Sequence, residues 1–96
     1  MIKEIRSDNT DRLFNAFMKL ENIDEFYDFF EDLCTVKEIK DMTQRFEVAC
    51  LLNDGMSYQK VSELTNVSSA TISRVKRCLD YGSGGYIKAI ERMGKK

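Results

Sequence analysis

The amino-acid sequence predicts an all-α protein of about six helices. Three observations carry that reading. The 96 residues contain no proline, the residue least tolerated inside a helix. Apolar residues recur three and four positions apart through most of the chain, the spacing of a helix face rather than of a strand. The residues between these stripes are helix starters and stoppers: Asn22 with Glu25, Thr35 with Glu38, Ser57, Ser68 and Gly55.

Taken in order, Met1 to Asn9 is polar and arm-like. A first helix is expected from about Thr10 to Leu20, with Leu13, Phe14, Phe17, Met18 and Leu20 as its apolar stripe. Asn22 and Glu25 have the spacing of a capping box and open a second helix, about Ile23 to Leu33. That helix carries Phe26, Tyr27, Phe29, Phe30 and Leu33, more aromatic surface than one narrow stripe of a small chain can cover. A second copy of the chain is the expected cover. A monomeric core or a ligand cavity would be other uses of the same residues.

Thr35-Val-Lys-Glu38 is a second capping box and opens a long third helix, the spine of the domain. Ile39, Met42, Phe46, Ala49, Cys50 and Leu52 are its expected inward face, and Asn53-Asp54-Gly55 its end. Beyond the next two helices, Tyr81-Gly82-Ser83-Gly84-Gly85 reads as a stop and a turn, since no phosphate-loop lysine pattern follows. Tyr86, Ile87, Ala89, Ile90 and Met93 make a short last helix, and Gly94-Lys95-Lys96 a polar tail.

Residues 56–85 contain the motif that points to function. Ser57 can cap a short helix with Val61 and Leu64 on one face. Ser62 is small enough for a second helix to cross nearby. Asn66 tolerates the left-handed conformation of a tight corner, Val67 can plug that corner, and Ser68 caps the next helix. Ile72, Val75 and Leu79 point inward, which leaves Ser69, Ala70, Ser73, Lys76 and Arg77 outward or sideways. This is the layout of a helix-turn-helix that reads double-stranded DNA. Ser68, Ser69, Ala70, Thr71 and Ser73 are short enough to approach base edges or thymine methyls. Lys76 and Arg77 can neutralise phosphates, and Tyr58, Gln59 and Lys60 can anchor the backbone from the first helix. The plainer alternative is a helical hairpin with a solvated polar face.

The net charge of −1 conceals a division. Residues 1–55 hold 7 Lys+Arg against 13 Asp+Glu, a balance of −6, and residues 56–96 hold 8 against 3, a balance of +5. Only the second part attracts a polyanion.

The same residues argue against other classes. No apolar run is long enough to span a bilayer. The start MIKEIRSDN lacks an apolar signal segment, so a cytoplasmic location is expected. Cys34, Cys50 and Cys78 form no C-x-x-C pair and there is no histidine. A metal site or disulfide framework is therefore not expected, and the three cysteines read as small apolar core residues. With no histidine and no nucleophile beside a base, an enzyme is not expected.

The segment ATISRVKRCLDYG after TNVSS resembles the Trp repressor superfamily, and within it the small bacterial YerC/YecD family. CTVKE at 34–38 and MTQRFEVA at 42–49 resemble that family's preceding helix, so the likeness covers about Leu33 to Tyr86 well and the N-terminal third more loosely. The resemblance implies an interleaved homodimer built on the N-terminal helices, and a transcriptional regulator, more often a repressor. It also implies an effector position at Thr35, Arg45 and Arg74, where the family's arginines flank a tryptophan; ion pairing or phosphate contact is the preferred use of Arg45 and Arg74. Val75 stands where that family has glycine against the indole, and Cys78 where it has serine; the added side chain argues against tryptophan, and no cofactor is expected. A single domain is therefore expected, with residues 1–55 for core and dimerisation, 56–81 for the helix-turn-helix and 86–93 for the last helix. The competing reading is a protein-interaction module whose hairpin only fills its core.

Overall fold

The computed structural model describes residues 3–94. Its six α-helices are α1 (Asp8–Met18), α2 (Ile23–Leu33), α3 (Val36–Asn53), α4 (Tyr58–Thr65), α5 (Ser69–Tyr81) and α6 (Gly85–Gly94), preceded by one 3-10 turn at Lys3–Ile5. No strand occurs among the described residues. The chain divides into two compact units, Met1–Ile39 and Lys40–Lys96. α3 starts in the first, and most of it belongs to the second.

In the first unit, α1 begins two residues earlier than the stripe suggested and ends at Met18 rather than Leu20. The reason is Ser7, whose side chain accepts a hydrogen bond from the Thr10 N–H at 3.1 Å and so caps the helix ahead of Asp8. The expected polar arm is thereby shortened, and Met1 and Ile2 lie outside the described residues. Asp8 and Asp11 in the first turn complement the positive end of the helix dipole. At α2 the Asn22 side chain accepts from the Glu25 N–H at 3.0 Å. Glu25 reaches back to the Glu21 N–H at 2.7 Å, one residue before the position a strict capping box uses.

Phe17 holds α1 and α2 together. Its ring stacks on Phe30 at 5.3 Å, meets the edge of Phe29 at 5.5 Å and lies 6.0 Å from Phe14. Even so, neither helix has a buried residue. Phe14, Met18, Ile23, Phe26, Tyr27, Leu33 and Val36 remain exposed within one chain.

The second unit has a closed core. Val48, Ala49 and Leu52 of α3, Val61 of α4, Val67 of the corner, and Ile72 and Val75 of α5 are buried together, with Leu51, Met56, Leu79, Tyr86 and Ile90 packed on them. α4 packs on α5, and α5 on α6. The start of α3 is the expected reciprocal box: Glu38 N–H to Thr35 Oγ1 at 3.1 Å and Thr35 N–H to Glu38 Oε1 at 2.8 Å. Its end is a Schellman turn, with Met56 N–H on Leu51 O and Gly55 N–H on Leu52 O, made possible by the φ of +92° at Gly55.

Three sequence expectations change. Val48, absent from the expected inward face of α3, is fully buried, whereas Leu64 is 55% exposed. α4 is the short helix expected, and Val61 alone of its residues reaches the core. Cys78 is exposed rather than a core residue, while Cys34 and Cys50 are half-buried; all three are free thiols.

Candidate nucleic-acid interface

Local bonds build the corner between α4 and α5. Ser57 caps α4 by accepting from the Lys60 N–H at 3.1 Å. Asn66 adopts φ +59°, ψ +24°, the left-handed conformation, and its N–H closes on Ser62 O at 2.8 Å. Thr65 Oγ1 donates to Val61 O at 2.7 Å and accepts from the Val67 N–H at 3.3 Å. Ser62 Oγ donates to Val67 O at 3.3 Å. Val67, held by both hydroxyls, plugs the corner as a buried residue. Ser68 then caps α5, accepting from the Thr71 N–H at 3.2 Å.

The corner divides α5 into two faces. Ile72 and Val75 are buried and Leu79 half-buried. Opposite them, Ala70, Ser73, Arg74 and Arg77 line an open cavity of about 380 Å³. Their spacing of three, four and seven residues puts them on one helix face. Ser69 beside them is exposed. This surface is small near the start of the helix and cationic further along.

The remaining expected contact residues are placed as follows. Tyr58, Gln59 and Lys60 are exposed in the first turn of α4. Ser68 is exposed, but its hydroxyl serves the cap and lies 3.2 Å from Thr71 Oγ1, so Thr71 is half-buried and engaged. Lys76 is half-buried and pairs with Asp80 at 3.4 Å.

The expected effector residues are placed as follows. The Thr35 hydroxyl caps α3. Arg45 is exposed; burial raises the pKa of the Tyr86 hydroxyl, and the Arg45 cation only partly offsets it. Arg74 lies on the outward face of α5, in a cavity whose lining includes neither Arg45 nor Val75. Val75 is 2% exposed and its side chain belongs to the core. The steric objection to an indole at Val75 therefore does not apply to that cavity. Arg74, expected at an effector position or as a phosphate contact, stands four residues after Ala70 on the outward face of α5. Tyr81, one turn beyond Arg77, is 86% exposed.

Burial pushes the Cys50 thiol above its usual pKa, and the Glu47 and Asp54 carboxylates add to the effect. Among the described residues no group of three or more His, Cys, Asp or Glu could hold a metal ion, and no helix is long and apolar enough to cross a membrane.

Comparison with known proteins agrees with this geometry. The uncharacterized protein YerC of Bacillus subtilis is 47% identical over 92 residues, which span 96% of this chain and 88% of that one. The structure of a TrpR-like protein from Eubacterium eligens superposes with a TM-score of 0.91 at 46% identity, covering 96% of this chain and 95% of its own. A candidate Trp repressor from Staphylococcus aureus gives a TM-score of 0.93 at 42% identity, covering 100% and 96%. The family model for the Trp repressor protein matches residues 8–94. The chain belongs to the Trp repressor family.

Proposed function

We propose that this protein is a transcriptional regulator, acting as a repressor, that binds double-stranded DNA as a homodimer through its helix-turn-helix. The observation that carries the reading is the two-faced α5. Its inner side is fixed in a buried core by Ile72 and Val75, and its outer side offers Ala70, Ser73, Arg74 and Arg77 together. A helix of this kind can enter a major groove. Short side chains come near base edges, directly or through water, and the arginines meet phosphates. Ser69 and Thr71 flank the tip, Ser68 holds it, and Tyr58, Gln59, Lys60 and Lys76 anchor the backbone. The balance of +5 over residues 56–96 directs this part of the chain to a polyanion. Such a regulator works in the cytoplasm, where bacterial DNA is found, and its role is regulatory rather than catalytic.

The homodimer is supported by the apolar surface that α1 and α2 leave exposed, including Phe14, Met18, Ile23, Phe26 and Tyr27. Two such heads read successive grooves if they are spaced about 34 Å apart.

Selection of bound sequences from random duplex DNA tests the proposal. An inverted repeat is expected, with affinity that falls steeply with salt as counterions are released. The double variant Lys76→Glu with Arg77→Glu should lose retention while keeping its helical signal. Retention in that folded variant, or salt-insensitive binding, would instead favour a protein-interaction module.

A further inference from the structure

We propose that Tyr81 is a further duplex contact of α5, its hydroxyl donating a hydrogen bond to a phosphate oxygen beyond the bases that Ala70 and Ser73 approach. The inference rests on the DNA-binding reading given above and adds a neutral anchor at the far end of the reading helix. Tyr81 is 86% exposed, the most open of the large apolar side chains among the described residues. In the second unit the rings of Phe46 and Tyr86 pack on each other, with centroids 6.4 Å apart, whereas Tyr58 and Tyr81 stay open. Both open rings are tyrosines, and both stand on the helix-turn-helix, in the first turn of α4 and the last turn of α5. A ring so open adds little to the core, and its hydroxyl is free to serve a partner.

Helical geometry carries Tyr81 onto the outward face. The Gly82 N–H closes on Cys78 O at 2.9 Å, so the regular repeat extends through Tyr81. At about 3.6 residues per turn, Tyr81 returns to within about 20° of the direction of Ala70, between Arg74 and Arg77. It points away from Ile72 and Val75, which are buried. A rise of about 1.5 Å per residue places it roughly 16 Å along the axis from Ala70. A major groove is about 12 Å wide. With the helix tip at the base edges, Tyr81 therefore stands at the sugar-phosphate wall, where hydrogen bonds set the register of a protein on the duplex.

The residues that follow leave this side open. Gly82-Ser83-Gly84-Gly85 carries one short side chain in four positions. A Cβ on Gly82 would collide with Cys78 O, and Gly84 has a φ of +87°, which side chains rarely adopt. The turn itself thus calls for glycine, and no bulk beside Tyr81 holds a phosphate off. Asp80 is the one nearby anion, and its charge is offset by Lys76 at 3.4 Å.

Tyr81→Phe removes the hydroxyl and keeps the ring. The variant should keep the thermal midpoint of the wild type, as exposed substitutions usually do. It should bind a selected duplex on the order of tenfold more weakly, the scale of one hydrogen bond to a charged group. The slope of log affinity against log salt should be unchanged, because no cation is lost, whereas Arg77→Gln should flatten it. Replacing single phosphates of the duplex by neutral methylphosphonates should locate a position that weakens the wild type but not Tyr81→Phe. Wild-type affinity in Tyr81→Phe would overturn the contact, even if Tyr81→Ala bound weakly, since the ring alone would then be at work. Equal sensitivity of both proteins at every phosphate would overturn it too, as would a loss traced by sedimentation to a looser dimer. Those outcomes leave DNA binding intact; a wild type that retains no duplex would instead remove the DNA-binding reading, and this contact with it.

Discussion

Lys76 and Asp80, one turn apart on α5, form an ion pair at 3.4 Å with their side chains 41% and 42% exposed. The pair sits on the helix proposed to meet DNA, so Asp80 competes with phosphate for the Lys76 ammonium. Asp80→Asn should strengthen duplex binding about threefold to tenfold at low salt by freeing one cation. An exposed pair at this spacing contributes about 0.3–0.5 kcal/mol, so stability should barely change. Anisotropy titrations with a thermal melt check both points, and unchanged affinity would mean that Lys76 faces no phosphate.

The Ser68 cap holds the tip of the helix proposed to meet DNA. Ser68→Ala removes the acceptor for the Thr71 N–H and should cost about 1 kcal/mol. In a domain of this size that corresponds to a fall in Tm of about 4–8 °C. Because the tip of α5 frays, DNA binding should weaken by more than the loss of one hydroxyl contact. Ser68→Asp should recover the stability but not the affinity, since a carboxylate caps well and repels phosphate. Denaturant titration and duplex binding on the same samples separate the two effects.

Two glycines of one loop should respond oppositely to alanine. At Gly82 the new Cβ meets the Cys78 carbonyl oxygen, and the overpacking should cost about 1–3 kcal/mol. At Gly85, in the first turn of α6, the nearest atom is the Ser83 Oγ at 4.0 Å. Alanine there should stabilise by about 0.5 kcal/mol through a less flexible unfolded chain. Chemical denaturation of the two variants is the measurement; equal effects would contradict the loop geometry.

Burial pushes the Tyr86 hydroxyl above its usual pKa of 10.0, and the nearby Arg45 cation only partly offsets it. The folded protein therefore holds this proton more tightly than the unfolded chain. The resulting stability is complete below pH 10 and is lost as the pH rises beyond it. The difference in unfolding free energy between wild type and Tyr86→Phe should be constant at neutral pH. It should shift against the wild type over the range above pH 10. A difference that stays flat across that range would show that the hydroxyl is not buried in the folded state.

Much of the helix-turn-helix could be read from local pattern. Ser57, Asn66, Val67 and Ser68 take the conformations and roles that their types and spacings imply, because each acts through backbone groups two to four residues away. The same holds for Thr35 with Glu38 and for Gly55 at the end of α3. The start of α1 was misplaced for a local reason too: Ser7 competes with Asn9 and Thr10 as the helix start, and apolar periodicity does not choose among them.

The proposed reading face was visible in Ser69, Ala70, Ser73 and Arg77. Arg74 belongs to the same face, although resemblance had placed it with Arg45 in an effector position. Nothing in the spacing could have shown that the rings of Phe46 and Tyr86, 40 residues apart in the chain, stack on each other.

By itself the sequence determined six helices, their caps, and a left-handed corner at Asn66, because hydrogen bonds between near neighbours and backbone sterics decide those features. The tertiary structure alone decided that Val48 is buried while Leu64 is open, and that the ring of Tyr86 stacks on Phe46. Burial depends on which helix crosses which, and that follows from the volumes of many distant side chains packed together rather than from any stretch of the chain read alone.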